Sequence, residues 1–294
     1  MRTYSFLTLD VFTTTRFGGN PLAVFPDARG MSDAEMQSLA AEFNLSETTF
    51  VLPPADPANT ARVRIFHRTA EMPFAGHPNV GTGWALADRA IDGLLRFEEI
   101  AGLVQIRLTR NGEGLTDATV AAPQPLSLGP EMPAGLAAAC ASLNEGDIVT
   151  SGHAPIMASV GTNFVIVEVT PEALGRAMPD VSAFRAALPA FPHLGPGRLP
   201  LYLYAHAGAG QLRARMFAPL SGTFEDPATG SAATPLAGLL LSLSGHDSDA
   251  WSIMQGVEMG RPSLLQVTAR RAADGIRTTV GGACVPMLRG GITL

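Results

Sequence analysis

Two stretches of the chain combine charged or polar side chains with the small residues that open a buried helix. The first is Glu71-Met-Pro-Phe-Ala-Gly-His77-Pro78, and the second is Glu225-Asp226-Pro-Ala-Thr-Gly230-Ser231. Proline suits the first turn of a helix, where the opening N–H groups have no partner inside the helix. Those amides, at the positive end of the helix dipole, bind carboxylate or phosphate. Each stretch therefore predicts a place for a small anion, while the same residues also fit a capped, closely packed core helix.

The two stretches repeat one pattern. In each, a polar residue precedes proline, and a glycine followed by threonine or serine comes within the next four positions. Pro78 and Pro227 lie about half of the 294-residue chain apart, which is typical of two similar halves. We therefore expect an N-terminal half over residues 1–125 and a C-terminal half over residues 126–294. The Pro-rich region at residues 122–133 is the expected crossover between them.

Glu47 lies where a helix is predicted to give way to a strand. Ser32 and Glu35 have the spacing of a capping box, in which a hydroxyl and a carboxylate each accept from a backbone amide at the helix start. The helix that follows should end near Asn44. The β-prone residues 48–51 come next, so Glu47 occupies a junction, although a surface acid is the simpler alternative.

Alternation of apolar and polar residues predicts strands in both halves. Residues 62–66 lead into the first motif, and residues 212–217 lead into the second in the same way. Strands predominate over helices in the rest of the chain. The pattern predicts an α+β fold in which a sheet wraps one central helix in each half.

The composition excludes several kinds of chemistry. The chain has no lysine, so its 20 basic residues are all arginines. Schiff-base catalysis through lysine and a Walker A phosphate loop are therefore unavailable. No Gly-x-Gly-x-x-Gly stands between a predicted strand and helix, so we expect no organic cofactor. Cys140 and Cys284 have neither paired nor metal-type spacing, so we expect no metal site and no disulfide framework.

The charge pattern argues against two classes of partner. A net charge of −6 without any basic run offers no attraction to nucleic acid or to an acidic membrane surface. No apolar stretch reaches membrane-spanning length, and the first residues lack a signal-peptide pattern. We expect a soluble, cytoplasmic protein with no nucleic-acid or membrane partner.

Short motifs follow one another in order along most of the chain. They are Phe17-Gly-Gly-Asn20-Pro-Leu-Ala-Val24, Asn44-Leu-Ser46-Glu47-Thr-Thr-Phe-Val51, Arg64-Ile-Phe66, Pro73-Phe-Ala-Gly76-His77-Pro78, Glu225-Asp226-Pro-Ala-Thr-Gly230-Ser231 and Gln255-Gly-x-x-Met-Gly-Arg-Pro262. In these motifs the chain resembles the phenazine-biosynthesis PhzF-like isomerases, whose fold is shared with diaminopimelate epimerase. The resemblance implies two similar halves, each a central helix wrapped by a curved, mostly antiparallel sheet, with the active site in the cleft between them. It also implies a homodimer and no cofactor.

The resemblance also implies roles for single residues. Glu47 matches the acid that shuttles a proton in the family, and His77 and Asp226 match catalytic polar residues around it. A carboxyl group at the edge of an apolar cleft has a raised pKa, so it can take and return a proton near neutral pH. The positions that match substrate-binding residues are Asn20, Ser46, Gly76, Gly230 and Ser231, some of which offer helix-end amides to a substrate carboxylate.

Three functions stay open. The first is a cofactor-independent isomerase that moves a proton within a small carboxylate-bearing substrate. The second is an epimerase or racemase of the same fold with non-thiol bases, because the paired helix ends here lack the two cysteines that such enzymes use. The third is a ligand-binding protein without turnover. Taken without the resemblance, His77 and Asp226 also fit capping or turn positions.

Overall fold

A computed structural model of the chain describes residues 1–112, 114–195 and 197–294. The contacts within it divide the chain into two units. The first unit consists of Met1–Pro123 together with Val280–Leu294, and the second unit is Gln124–Thr279. No helix in the described ranges is both long and apolar enough to span a bilayer.

The elements fall in the following order along the chain. The elements up to residue 121 are β1 (Thr3–Val11), β2 (Asn20–Phe25), α1 (Asp33–Phe43), β3 (Glu47–Leu52), β4 (Ala61–His67), β5 (Glu71–Met72), α2 (Gly76–Ala85), β6 (Leu94–Glu99), β7 (Gly102–Asn111) and β8 (Gly114–Ala121). The later elements are β9 (Ser127–Glu131), α3 (Ala134–Cys140), β10 (Ile156–Ser159), β11 (Asn163–Glu168), α4 (Pro171–Arg176), α5 (Val181–Ala190), β12 (Leu201–Gly208), β13 (Gln211–Ala218), β14 (Thr223–Asp226), α6 (Gly230–Leu243), β15 (Ser248–Gln255), β16 (Ser263–Ala272), β17 (Gly275–Gly282) and β18 (Cys284–Thr293).

In the first unit, neighbouring strands follow the order β18, β1, β2, β3, β4, β6, β7 and β8. The pairs β2–β3 and β4–β6 are parallel, and the other neighbours are antiparallel. The short strand β5 adds to β4 in antiparallel register and leads directly into α2. The parallel pairs are the places where the chain crosses over through α1 or α2.

The second unit repeats this plan. Its strands follow the order β9, β10, β11, β12, β13, β15 and β16, with parallel pairing at β11–β12 and β13–β15 and antiparallel pairing elsewhere. The strand β14 adds to β13 and leads into α6, as β5 leads into α2. The prediction of two similar, mostly antiparallel halves is confirmed by this shared order of pairings.

Each half encloses one buried helix. In α2, residues 76–83 are all buried, and the helix packs on strands β1, β2, β3, β7 and β8. A Cβ at Gly81 would lie 2.5 Å from Leu22 Cδ2, and one at Gly83 would lie 2.7 Å from Ile106 Cγ2. The helix α6 is also mostly buried and packs on β10, β11, β15 and β16. Small residues are therefore required where the strands approach the helix.

The local signals around α1 act as the sequence predicted. The Ser32 hydroxyl accepts from the Glu35 amide, the Glu35 carboxylate accepts from the Ser32 amide, and the helix ends at Asn44 in the left-handed region. This helix covers an aromatic core in which Phe25 and Phe50 stack with centroids 4.9 Å apart. The end of α1 thereby fixes where β3 begins.

The C-terminal strand belongs to the first unit, whereas the sequence-based division placed it in the second half. Strand β18 pairs with β1 from Thr3–Thr293 through Val11–Cys284. This pairing joins the two ends of the chain, and nothing in the local sequence of β18 identifies its partner strand.

Candidate active site

Glu47 is the first residue of β3, and its side chain is 14% exposed. It lies opposite Leu22 of β2, in the parallel pair that follows the crossover through α1. The left-handed turn at Asn44 directs the chain from α1 into this strand. The carboxyl group is thus held at the start of a buried strand, at the helix-to-strand junction that the sequence predicted.

A polar side chain from α2 lies close to this carboxyl group. His77, the second residue of that helix, is buried, and its Nδ1 lies 3.2 Å from Glu47 Oε2. Burial lowers the pKa of His77 to about 3, and the Pro21 carbonyl offsets only part of that shift. At neutral pH the imidazole is therefore uncharged and carries one N–H.

The neutral imidazole can serve both protonation states of Glu47. With the hydrogen on Nδ1, the ring donates to the Glu47 carboxylate; with the hydrogen on Nε2, Nδ1 accepts from a protonated Glu47. His77 Nε2 is buried and, within the described residues, meets no partner in hydrogen-bonding geometry. The Pro21 carbonyl acts on the same ring. A change of tautomer therefore lets His77 follow a proton onto and off Glu47.

Among the described residues, the two motif helices begin without a side-chain cap, as α3 does after Pro133. The helices α1, α4 and α5 are capped by side chains of Ser32, Thr170 and Asp180. In the part of the chain that the structure describes, neither Ala75 before α2 nor Thr229 before α6 supplies a side-chain cap. The first amides of these helices, at Gly76, His77, Gly230 and Ser231, are the positions at which the sequence predicted an anion.

Asn20 and Ser46 lie in the same unit as Glu47 and His77. Asn20 is fully buried at the start of β2, opposite Val11, and Ser46 directly precedes β3. The loop before Asn20 is fixed because the Asp10 carboxylate accepts from the Phe17 amide at 2.8 Å. Gly19 has φ +64°, and a Cβ there would lie 2.3 Å from the Val11 carbonyl. The left-handed backbone and the close approach to Val11 therefore require glycine at position 19.

Asp226 ends β14 in the second unit and is 6% exposed. Its Oδ2 accepts from the Thr229 hydroxyl at 2.5 Å, which closes the turn before α6. Gly230 and Ser231 follow as the first residues of that helix. The Asp226 carboxylate therefore makes the contact that is expected of a turn residue. A catalytic role for Asp226 stays a prediction.

Gln255 is a residue of this region that the sequence did not single out for a role. Its Nε2 donates to the Asp226 carbonyl at 2.8 Å and to the Thr229 hydroxyl at 3.0 Å, while its Oε1 accepts from the Thr229 amide at 3.1 Å. Tyr202 donates to the same Oε1 at 3.0 Å. The fully buried Gln255 amide therefore holds the turn before α6. In the sequence, the place of Gln255 in the Gln255-to-Pro262 motif could have indicated that it has a role.

An Arg–Glu ion pair occurs at equivalent places in both units and was not predicted from the sequence. Arg64 on β4 binds Glu71 on β5 through two bonds of 2.7 and 2.6 Å, and Arg215 on β13 binds Glu225 on β14 through two bonds of 2.8 and 2.9 Å. Each guanidinium also lies over a phenylalanine two residues later, with distances of 5.0 and 4.9 Å to the ring centroids. These Arg–Glu clamps hold the short strand that leads into each motif.

Neither cysteine is arranged as a nucleophile. Both are buried, and burial raises the pKa of Cys140 to about 12 and raises the pKa of Cys284 further still. Among the described residues, no three His, Cys, Asp or Glu side chains are placed to hold a metal ion.

Comparison with known proteins gives relatives over nearly the whole chain. The family model described as phenazine biosynthesis-like protein matches residues 9–290. The chain is 39% identical to an uncharacterized isomerase of Mesorhizobium japonicum over 91% of each chain. It is 36% identical to the trans-2,3-dihydro-3-hydroxyanthranilate isomerase of Pseudomonas chlororaphis over 99% of this chain and 100% of that one.

The fold of the chain is also similar to that of solved structures. A PhzF-family phenazine biosynthesis protein of Bacillus anthracis covers 100% of both chains with a TM-score of 0.87, at 23% identity. At that identity the likeness speaks for the fold alone. The α+β fold class that the sequence predicted is confirmed.

Proposed function

The chain belongs to the phenazine biosynthesis-like protein family, and from that membership we propose how it acts. It is an isomerase of a small substrate, as its named relatives are. We propose that it moves one proton between two carbons of a carboxylate-bearing molecule, with Glu47 as the group that takes and returns the proton. No organic cofactor or metal enters this scheme.

The observation that supports this proposal most is the pair formed by Glu47 and His77. The two side chains are mostly buried, their Oε2 and Nδ1 atoms are 3.2 Å apart, and the imidazole is neutral. A carboxylate beside a neutral imidazole keeps one hydrogen bond in either protonation state. Such a group suits general acid/base catalysis, in which the same residue must be a base in one step and an acid in the next.

Substrate binding is assigned to the uncapped helix starts. Proton removal beside a carboxylate leaves negative charge on the substrate, and backbone N–H groups stabilise such charge where it develops. The proposed ligands of the carboxylate are the amides of Gly76, His77, Gly230 and Ser231. Asn20 and Ser46 are proposed to contact the rest of the substrate.

Asp226 is proposed as the second acidic group of the site. It is buried at the end of β14, directly before the turn into α6, and it accepts from the Thr229 hydroxyl. The first compound to try is trans-2,3-dihydro-3-hydroxyanthranilate, the substrate in the name of the Pseudomonas chlororaphis relative. It is a cyclic, unsaturated carboxylate, which is the class that the proposal requires. A cytoplasmic location and a homodimer are further proposals carried over from the sequence.

The test is proton transfer by wild-type protein and by Glu47→Gln. A panel of small carboxylates, beginning with that compound, is incubated in heavy water and followed by proton NMR. Glu47→Gln keeps the size of the side chain but cannot accept a proton. Its turnover should fall by ~10²–10⁴-fold with little change in substrate affinity. Glu42→Gln, at an exposed position of α1, is the matched control and should retain wild-type turnover.

The same experiment separates the competing functions. Near-wild-type turnover of Glu47→Gln would contradict the role given to Glu47. Inversion of optical rotation without double-bond migration would mean an epimerase or racemase. Tight binding of a carboxylate without deuterium uptake by wild-type protein would mean a binding protein without turnover.

A further inference from the structure

Glu99 is a half-buried acid with two buried carboxyl oxygens, close to the start of α2, that the proposed chemistry does not use. It is the last residue of β6, at the turn into β7, where it pairs with Gly102. Within that turn the Ala101 amide donates to the Pro73 carbonyl at 3.1 Å. The turn therefore holds the loop that immediately precedes α2.

The Glu99 carboxyl group lacks the partners that a buried carboxylate needs. Both of its oxygens are buried and, within the described chain, have no partner in hydrogen-bonding geometry. Asn79, in the first turn of α2, is fully buried beside it, and its Oδ1 is also without a partner there. Asn79 Nδ2 is engaged, because it donates to the Ala75 carbonyl at 3.0 Å. The two Glu99 oxygens and Asn79 Oδ1 are thus three buried acceptor atoms that have no donor in hydrogen-bonding geometry among the described residues.

One proton on Glu99 resolves this arrangement. A protonated carboxyl group has an O–H donor, and Asn79 Oδ1 is an acceptor without a donor. An ionised carboxylate would instead place two acceptors together out of water, which is costly for buried polar groups. Burial raises the pKa of Glu99 to about 8, and the Asn79 amide opposes only part of that rise. The carboxyl group is therefore mostly neutral at pH 7.

No charge from the surrounding elements offsets the burial of Glu99 in the described structure, where burial and the Asn79 amide are the two influences on it. The ionisable groups nearby are engaged elsewhere or exposed. They are Glu98 on β6, which accepts from the Ala55 and Asp56 amides, Arg62 on β4, which lies opposite Glu98 and is exposed, Arg64 on β4 with Glu71 on β5, and His77 on α2 with Glu47.

We propose that Glu99 is a positioning residue: as a neutral acid it donates to Asn79 Oδ1 and fixes the first turn of α2. Asn79 then holds the Ala75 carbonyl, and Ala75 directly precedes Gly76 and His77. Ionisation of Glu99 removes the donor and loosens the turn that presents His77 to Glu47. The link to turnover rests on the proposed function, whereas the protonation state of Glu99 does not.

The test has a structural arm that needs no substrate. Carbon-13 NMR of glutamate carboxyl groups follows each resonance with pH, and the resonance absent from Glu99→Gln belongs to Glu99. We expect it to titrate near pH 8. A midpoint near 4.5, the ordinary value for glutamate, would overturn the proposal. This result stands even if no compound of the carboxylate panel is turned over, which would count against the proposed function alone.

The kinetic arm compares two replacements of Glu99. Gln retains a donor at every pH, so Glu99→Gln should keep turnover at pH 7 within ~3-fold and lose the decline above pH 8 that we expect for the wild type. Leu has no donor, so Glu99→Leu should lower turnover at least ~10-fold at all pH values, with the larger effect on kcat. Glu42→Gln should keep the wild-type profile. An alkaline decline that persists unchanged in Glu99→Gln would overturn the proposal.

Discussion

Glu225→Gln is expected to destabilise the second unit strongly, because it leaves the Arg215 guanidinium buried without its counter-charge. The side chains of Arg215 and Glu225 are only 3% and 11% exposed. Arg215 also donates to the carbonyls of Leu174 and Ala177, at 3.1 and 2.6 Å, so it is fixed in place at the end of α4. Removal of one partner from a buried ion pair costs about 3–5 kcal/mol. For a unit of this size that corresponds to a fall in Tm of roughly 6–20 °C.

The measurement is thermal unfolding, with urea unfolding as a second probe. The matched control is Glu71→Gln, which breaks the equivalent clamp in the first unit. That pair is more exposed, at 12% for Arg64 and 24% for Glu71, and Arg64 keeps a second carboxylate partner in Asp33, so the loss of Glu71 should cost less. The double replacement of Arg215 by Met and Glu225 by Leu removes both charges and should recover most of the stability.

Two results would refute this reasoning. Equal losses for Glu225→Gln and Glu71→Gln would show that burial does not set the cost. A double variant as unstable as Glu225→Gln would show that the cost does not come from an unpaired buried charge.

Two further predictions concern buried ionisable groups. Because burial raises the pKa of both thiols, Cys140 and Cys284 should not react with a thiol reagent at pH 8 in the folded protein. Both should react after unfolding, and mass spectrometry counts the labelled thiols. Rapid labelling of either thiol under native conditions would contradict the structure. The folded pKa of Glu99, about 8, exceeds its ordinary value of 4.5, so the folded state keeps a proton that the unfolded state releases. Its contribution to stability should therefore be complete below pH 4.5 and decline by up to about 5 kcal/mol as the pH rises to 8, a slope that urea titrations of Glu99→Gln should lack.

Local signals were sufficient for the elements that carry the candidate site. The capping box at Ser32 and Glu35 and the helix end at Asn44 depend on residues within a few positions, and they place Glu47 at the start of β3. The repeated motifs predicted the two buried helices for the same reason. These features require no knowledge of which strands pair.

The residues that the sequence did not reveal depend on long-range contacts. Arg64 and Arg215 were visible as strand residues, but their glutamate partners are selected by the antiparallel pairing of short strands. Glu99 ends an ordinary alternating strand, at a turn whose Ala101 amide donates to the Pro73 carbonyl of the loop before α2. Gln255 acts on a turn far away in the sequence. In each case the chemistry of the side chain comes from its neighbours and not from its motif.

The pairing of β18 with β1 has a consequence for the order of folding. The second unit is continuous in sequence, whereas the first needs residues from both sides of it, so in topological terms the second unit is an insertion into the first. During synthesis the second unit can complete its sheet while the first still lacks an edge strand. The Arg2 and Leu294 backbones exchange two hydrogen bonds of 2.9 Å, so a short linker between them with a new opening near Pro123 would give a circular permutant in which both units are continuous.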